Sequence, residues 1–433
     1  MASQKKSFLV SIITISVLMI FSYVLTLVLD CNGIALYKAI LSPFLALASS
    51  SGSTTIAIVI FLLIIGGITN GLNKCGFMNY MLNKIVCKYG KQKYQLMFVM
   101  VLFLMAMGSI VGTFEEIVPI TPIIAKLAID LGFDELTGLS ISLLAAGCGF
   151  AAGVFNPFSI GVAQELAGLP MFSGASLRIF SFVVIYILLM TFIILHARKI
   201  DKNPDIEKQT SFTKDENMEK AYKAFIIIFS VAIIIVLASP IIKALQDYTL
   251  IIVALSFLVA GIVSIKLTKT STKDMLMYFK EGAIDILPSA LLVLMASSIK
   301  YILDESGVLT VILNKVSLVA SNLNRVELVI FIYVLCLILE IFVPSGSAKA
   351  FLLMPILIPL ASRFNISSQL CVLAYAYGDG FSNVFYPTNP ALIISLGLTN
   401  VEYKRWFKYS GVFQILNLLL TTAILLFGLL IGY

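Results

Sequence analysis

Gly378-Asp379-Gly380-Phe381-Ser382-Asn383-Val384-Phe385-Tyr386-Pro387-Thr388-Asn389-Pro390 lies in an apolar part of the chain yet cannot form one continuous helix. Its glycines loosen the turn, and Pro387 and Pro390 remove backbone donors and clash with the turn before them. Gly147-Cys148-Gly149-Phe150-Ala151-Ala152-Gly153-Val154-Phe155-Asn156-Pro157-Phe158-Ser159 has the same plan. Both read as broken helices. Each is expected to present free carbonyls from its first half and free amides from its second. Such carbonyls, with Asn and Ser oxygens, suit a cation, while a half-helix N-terminus suits a carboxylate.

The surroundings of these breaks are lipid-like. Of the 433 residues, 60% are apolar and 12% are charged, about half the charge that a soluble domain carries. Mean hydropathy is +1.02. A secreted disulfide scaffold, a nucleic-acid binder and a disordered regulator are excluded, which leaves an all-α polytopic membrane protein. The six cysteines show no Cys-x-x-Cys spacing and read as small apolar residues. The single histidine, His196, closes an apolar run and builds no relay or metal site alone, so it reads as an interfacial residue. No cofactor, metal or enzyme activity is implied.

A bilayer core needs roughly 20 apolar residues per helix. Such runs lie at 8–29, 53–70, 94–111, 134–150, 174–197, 224–245, 249–267, 282–303, 326–343, 367–378 and 407–432. Shorter stretches at 117–131, 157–168, 350–362 and 390–397 cannot span. Two of them would return 94–131 and 326–363 to the side they came from, as re-entrant hairpins. With that threading most of the 30 basic residues fall on the N-terminal side, which the positive-inside rule makes cytoplasmic. Arg198 to Lys223 reads as a cytoplasmic linker, and 74–93 and 305–321 as interfacial arms. The chain divides into 1–52, a first repeat at 53–197, the linker at 198–223, linking helices at 224–281 and a second repeat at 282–433.

The repeats align by residue. Gly76 falls on Gly307 at an offset of 231, and Leu82-Asn83-Lys84 on Leu313-Asn314-Lys315. At an offset of 233, Pro122 falls on Pro355, Gly147 on Gly380, and Asn156-Pro157 on Asn389-Pro390. The threading gives the halves opposite orientation, and inverted repeats place substrate near the midplane where they meet.

The hairpin tips are Gly108-Ser109-Ile110-Val111-Gly112-Thr113-Phe114-Glu115-Glu116-Ile117-Val118-Pro119 and Val343-Pro344-Ser345-Gly346-Ser347-Ala348-Lys349-Ala350. Ionised side chains at such depth mark a substrate or ion path, or an internal pair. Glu115, Glu116, Lys349 and Asp379 are therefore candidates, with Glu340 on the helix leading into the second hairpin. Glu116 and Lys349 occupy equivalent repeat positions and could face each other, either as part of the site or as a stabilising pair. Asn156, Ser345, Ser347, Asn383, Thr388 and Asn389 complete the candidate substrate-binding set. Tyr386 is placed for substrate packing.

Gly-Thr-Phe-Glu-Glu, Phe-Asn156-Pro-Phe, Val-Pro344-Ser-Gly-Ser and Gly378-Asp-Gly-Phe-Ser-Asn with Pro-Thr-Asn resemble the YfcC-type family of the ion transporter superfamily. That family is related to the anaerobic four-carbon dicarboxylate carriers. The resemblance runs from about residue 50 to the end. It implies an elevator-type secondary transporter working as a homodimer, with hairpins and broken helices as the transport domain and the other spans as a scaffold; the many spans with a short cytoplasmic linker suit a bacterial inner membrane. It also implies arginine/ornithine antiport or dicarboxylate carriage. Counting Glu115, Glu116, Asp379 and Lys349, the pocket is net acidic, which favours cationic cargo. The expected function is basic amino acid exchange, with a proton- or sodium-coupled carrier of C4-dicarboxylates or other small carboxylates as the alternative.

Overall fold

The computed structural model describes residues 2–29, 33–49, 52–89, 92–112, 114–170, 172–201, 214–238, 248–308, 311, 315, 318 and 323–433. Most of the 305–321 arm, linker residues 202–213 and the end of the 224–245 run lie outside the described residues.

Helices dominate. In the first half, apart from short turns of helix between residues 36 and 48, they are α1 (Ala2–Val28), α2 (Gly52–Lys74), α3 (Phe77–Tyr89), α4 (Lys93–Val111), α5 (Thr121–Asp130), α6 (Glu135–Ala152, with a π turn at Ser140–Leu144), α7 (Val162–Leu166) and α8 (Ala175–Ile200). Then come α9 (Glu216–Ala238), α10 (Thr249–Leu267) and α11 (Thr272–Ser306). The last part holds α12 (Arg325–Glu340), α13 (Gly346–Arg363), α14 (Ser368–Gly380), α15 (Pro390–Thr399) and α16 (Tyr403–Ile431).

Among the described residues, five helices are long and apolar enough to cross a bilayer, and the bent pair α2–α3 makes a sixth candidate. The outer helices show how they meet lipid. On α8, Leu177, Ser181, Ile185, Leu189 and Ile193 are buried, while Ile179, Phe180, Val183 and Ile187 stand exposed. No water-soluble surface would carry that ladder. By contrast α6 is 94% buried and forms the centre of the molecule.

The offset seen in the sequence recurs in the backbone. Gly76 (φ 80°) and Gly307 (φ 75°) end α2 and α11 in the left-handed region. Gly132 (φ 89°) and Asn365 (φ 53°) do the same after α5 and α13, as do Gly168 (φ 65°) and Asn400 (φ 57°) after α7 and α15. Each pair shares an offset of 231 to 233. N-caps match as well: Asp134 accepts from Thr137 N at the start of α6, and Ser367 from Leu370 N at the start of α14.

In both halves the chain doubles back. Phe133, after α5, packs edge-on against Tyr94 at the start of α4, with ring centroids 5.6 Å apart. Arg325, at the start of α12, donates to Asn365 O at 2.7 Å, just after α13. α12 itself starts on a capping box of Asn324 and Glu327.

The two broken helices cross at the centre. A Cβ on Gly147 would lie 2.2 Å from Val384 Cγ1, and one on Gly380 would lie 2.3 Å from Ala151 Cα. Gly147 is the repeat equivalent of Gly380, and Ala151 of Val384. Residue i of one half thus touches j of the other, and their equivalents touch in return, which is the signature of a twofold axis through the contact.

Candidate functional site

The second break and the second hairpin meet around one lysine. Lys349, in the first turn of α13, is fully buried. Its Nζ lies 2.8 Å from Asp379 Oδ1 and also binds Glu340 Oε2 at the end of α12. Asp379 is fully buried and Glu340 is 1% exposed. Gly346 leaves the room this needs, since a Cβ there would sit 2.8 Å from Asp379 Oδ2. Tyr375 OH donates to Gly346 O and pins the tip. The ammonium is therefore held by two carboxylates of its own half. The side chains of Glu116 and Ser347 lie outside the described residues.

Asp379 is linked onward through the break. Asn383 Nδ2 donates to Asp379 O at 3.2 Å, and Asn389 Nδ2 donates to Asn383 Oδ1 at 2.7 Å. Asn389 Oδ1 accepts from Leu392 N and caps α15. Asn156 does the same in the first half. Its Oδ1 accepts from Phe158 N (2.9 Å) and Ser159 N (3.3 Å), and its Nδ2 donates to Phe150 O at 3.1 Å. Both asparagines reach back to the sixth residue before them, so each is a staple across its break. Gly112 (φ 77°) seats the first tip on this staple, where a Cβ would fall 2.4 Å from Asn156 Oδ1.

The carbonyls expected to be free at the breaks are taken by the chain. Arg178 is 1% exposed and donates to Val154 O through Nε (3.3 Å) and Nη2 (3.2 Å). It also donates to Ser173 O at 2.8 Å and Phe172 O at 3.0 Å. In the second half the donors come from α16. Trp406 Nε1 bonds Val384 O at 2.7 Å, Tyr403 OH bonds Phe385 O at 3.0 Å and Gln414 Nε2 bonds Phe381 O at 2.8 Å. Buried backbone groups must be satisfied, and in a bilayer only protein is at hand. On the amide side, Ser109 Oγ accepts from Val154 N and Ser109 O from Phe155 N, both at 3.0 Å.

Some hydroxyls remain open. Thr388 Oγ1, Ser159 Oγ and Ser395 Oγ are buried without a hydrogen-bond partner. Ser345, Tyr386 and Glu115 are half-buried. Lys349, Asp379, Asn383 and Asn389 thus form one connected group, with Ser345 beside it at the tip, whereas Asn156 and Glu115 belong to the other half.

Arg178, Trp406, Tyr403 and Gln414 lie outside the candidate set that the sequence marks. Only Arg178 left a sequence signal, a charge one turn inside an apolar run. His196 also has a defined partner, for its Nε2 lies 3.1 Å from Asp134 Oδ2 and its ring packs on Tyr409 with centroids 4.7 Å apart.

The profile of the DcuC family, described as C4-dicarboxylate anaerobic carrier, matches residues 5–430. The putative basic amino acid antiporter YfcC of Escherichia coli is 30% identical over 416 residues, 90% of this chain and 81% of its own. An uncharacterised protein of Haemophilus influenzae is 25% identical over 370 residues, 81% of this chain and 71% of its own. Among solved structures, the YdaH transporter of Alcanivorax borkumensis, reported to have an unusual topology, aligns over 99% of both chains with a TM-score of 0.48 and 15% identity.

Proposed function

The chain belongs to the DcuC family of C4-dicarboxylate anaerobic carriers, a multi-pass membrane transporter family, and from that premise we propose that it exchanges basic amino acids, arginine against ornithine or lysine, by alternating access. The observation that carries this reading is the balance around Lys349. Two carboxylates, Glu340 and Asp379, already face that ammonium. It has no charge to spare for an anionic cargo, and the cluster as a whole is net negative. A desolvated negative cluster favours a cation.

In this proposal one acidic residue among Glu115, Glu116 and Asp379 takes the cationic side chain. Ser345, Ser347 and the open Thr388 hydroxyl take the cargo's carboxylate. Lys349, Asn383, Asn389 and Asn156 form the wall behind them. The two doubled-back segments are re-entrant hairpins, and with the broken helices they travel as a transport domain against a scaffold in a homodimer. The membrane is the bacterial inner membrane, with the N-terminus in the cytoplasm. The domain boundaries are those of the repeats, 53–197 and 282–433. Exchange of like-charged cargoes needs no coupling ion. In keeping with that, Val154, Val384 and Phe385 carbonyls each accept a hydrogen bond from a side chain of the protein.

The family's description favours C4-dicarboxylate carriage, and the second reading is a proton- or sodium-coupled carrier of C4-dicarboxylates or other small carboxylates. Proteoliposomes separate the two. Labelled arginine uptake is expected to rise when the lumen holds ornithine and to stay low with buffer or succinate. Uptake of labelled succinate under a proton or sodium gradient, with no arginine signal, would establish the second reading.

A further inference from the structure

Glu340, Lys349 and Asp379 bring two acids and one base together at a site that water does not reach. Lys349 engages one oxygen of each acid, Glu340 Oε2 and Asp379 Oδ1. The other two oxygens, Glu340 Oε1 and Asp379 Oδ2, are buried and have no hydrogen-bond partner. The remaining titratable groups around the cluster are Cys336 on α12, and Cys371 and Tyr375 on α14. These are neutral in their ordinary range at physiological pH. Tyr375 spends its hydroxyl on Gly346 O rather than on a carboxylate. No second cation faces the cluster among the described residues.

Two ionised carboxylates and one ammonium leave one negative charge in a desolvated space, with two acceptor oxygens unmet. Buried charge without a counter-charge is strongly unfavourable, and a carboxyl in that position takes up a proton instead. We propose that the Glu340–Lys349–Asp379 triad is a proton-binding site, holding one proton on a carboxyl oxygen while the three side chains are buried together and releasing it when a cation enters.

The charges balance in both states. With the proton bound, one carboxylate faces one ammonium. When a monovalent cation arrives, the carboxyl O–H bond breaks, the proton passes to water, and the second carboxylate takes the cation as its counter-charge. Proton and cargo are then alternatives at one negative charge. Position supports the coupling, because the three residues tie the end of α12, the tip of the second hairpin and the end of α14 together. Loosening that junction exposes the site. The release step rests on the proposed cationic cargo, whereas the bound proton does not.

Infrared spectroscopy of the purified protein in lipid, without any cargo, tests the bound proton. A deuterium-sensitive carboxylic-acid C=O band is expected at neutral pH, lost in Glu340→Gln or in Asp379→Asn. No such band in the wild type overturns the proposal, and so does a band that survives in both variants. Where a variant fails to fold, absence of the band in the wild type still overturns the proposal. Adding arginine in weak buffer is then expected to release one proton per arginine bound and to remove the band. Arginine that binds without proton release overturns the exchange of proton for cargo. A band that persists because arginine does not bind at all overturns the cargo reading and leaves the proton site established.

Discussion

Lys349 Nζ and Asp379 Oδ1 lie 2.8 Å apart with both side chains fully buried, joining the second hairpin to the second broken helix. The equivalent positions of the first half are Glu116 and Ala146. The twofold relation of the backbone therefore does not extend to charge, and the buried ion cluster is lodged on one side of the axis. An asymmetric charge in a symmetric frame is what a transporter needs if its two open states are to differ in affinity.

Lys349→Met leaves Glu340 and Asp379 facing each other without a counter-charge. Removing one partner of a buried pair costs about 3–5 kcal/mol, so the melting temperature in detergent is expected to fall sharply. Adding Glu340→Gln and Asp379→Asn to the same chain removes the stranded charges and is expected to restore most of the loss. A triple variant no more stable than Lys349→Met would show that packing, and not charge, holds the junction.

The two central glycines should differ in their tolerance. An added methyl at Gly380 meets backbone, Ala151 Cα at 2.3 Å, which cannot rotate away. At Gly147 it meets Val384 Cγ1 at 2.2 Å, the end of a side chain with other rotamers. Overpacking costs about 1–3 kcal/mol. Gly380→Ala is expected at or above the top of that range, and Gly147→Ala near the bottom. Thermal unfolding of the two variants side by side checks the order.

Arg178→Gln strips charge-assisted donors from Val154, Phe172 and Ser173 carbonyls. Each such bond contributes about 1.5–3 kcal/mol, and the carbonyl of buried Val154 would have no water to turn to. Lower stability and lower exchange are expected together. Arg178→Lys should rescue little, because a single ammonium cannot span carbonyls that the planar guanidinium bridges. Rescue to wild-type levels would mean that only the positive charge matters.

Glu219 gives a pH dependence. Hydrogen bonds from Lys84 Nζ (2.6 Å) and Tyr80 OH (2.9 Å) hold its carboxyl below the ordinary glutamate value. A depressed folded pKa contributes stability that is present above the unfolded value, about 4.3, and is lost as pH falls through the lower folded value. This contact fastens α3 to α9. Glu219→Gln is expected to lower the melting temperature at neutral pH, with the gap from wild type closing in the acid range below pH about 4. A gap that stays constant through that range would count against the assignment.

Several features were legible because they are local. Apolar runs mark the helices, and Gly and Pro mark the breaks, since a helix satisfies its own backbone wherever the sequence permits. The alignment of Gly76 with Gly307 carried through to matching φ angles, and that of Gly147 with Gly380 to the crossing of the two broken helices. Asn156 and Asn389 were found by type and position, but the structure uses them to staple the breaks.

Composition and periodicity by themselves determined that this chain is a helical membrane protein, where its helices break and that its halves repeat. Only the tertiary structure decided which groups meet at the breaks. Glu340 and Asp379 hold Lys349, and Arg178, Tyr403, Trp406 and Gln414 take the carbonyls. The physical reason is the reach of each interaction. Helical hydrogen bonds close within four residues and leave a periodic trace. A break releases backbone groups to whichever donor packs beside them, and that choice is made between residues far apart in sequence.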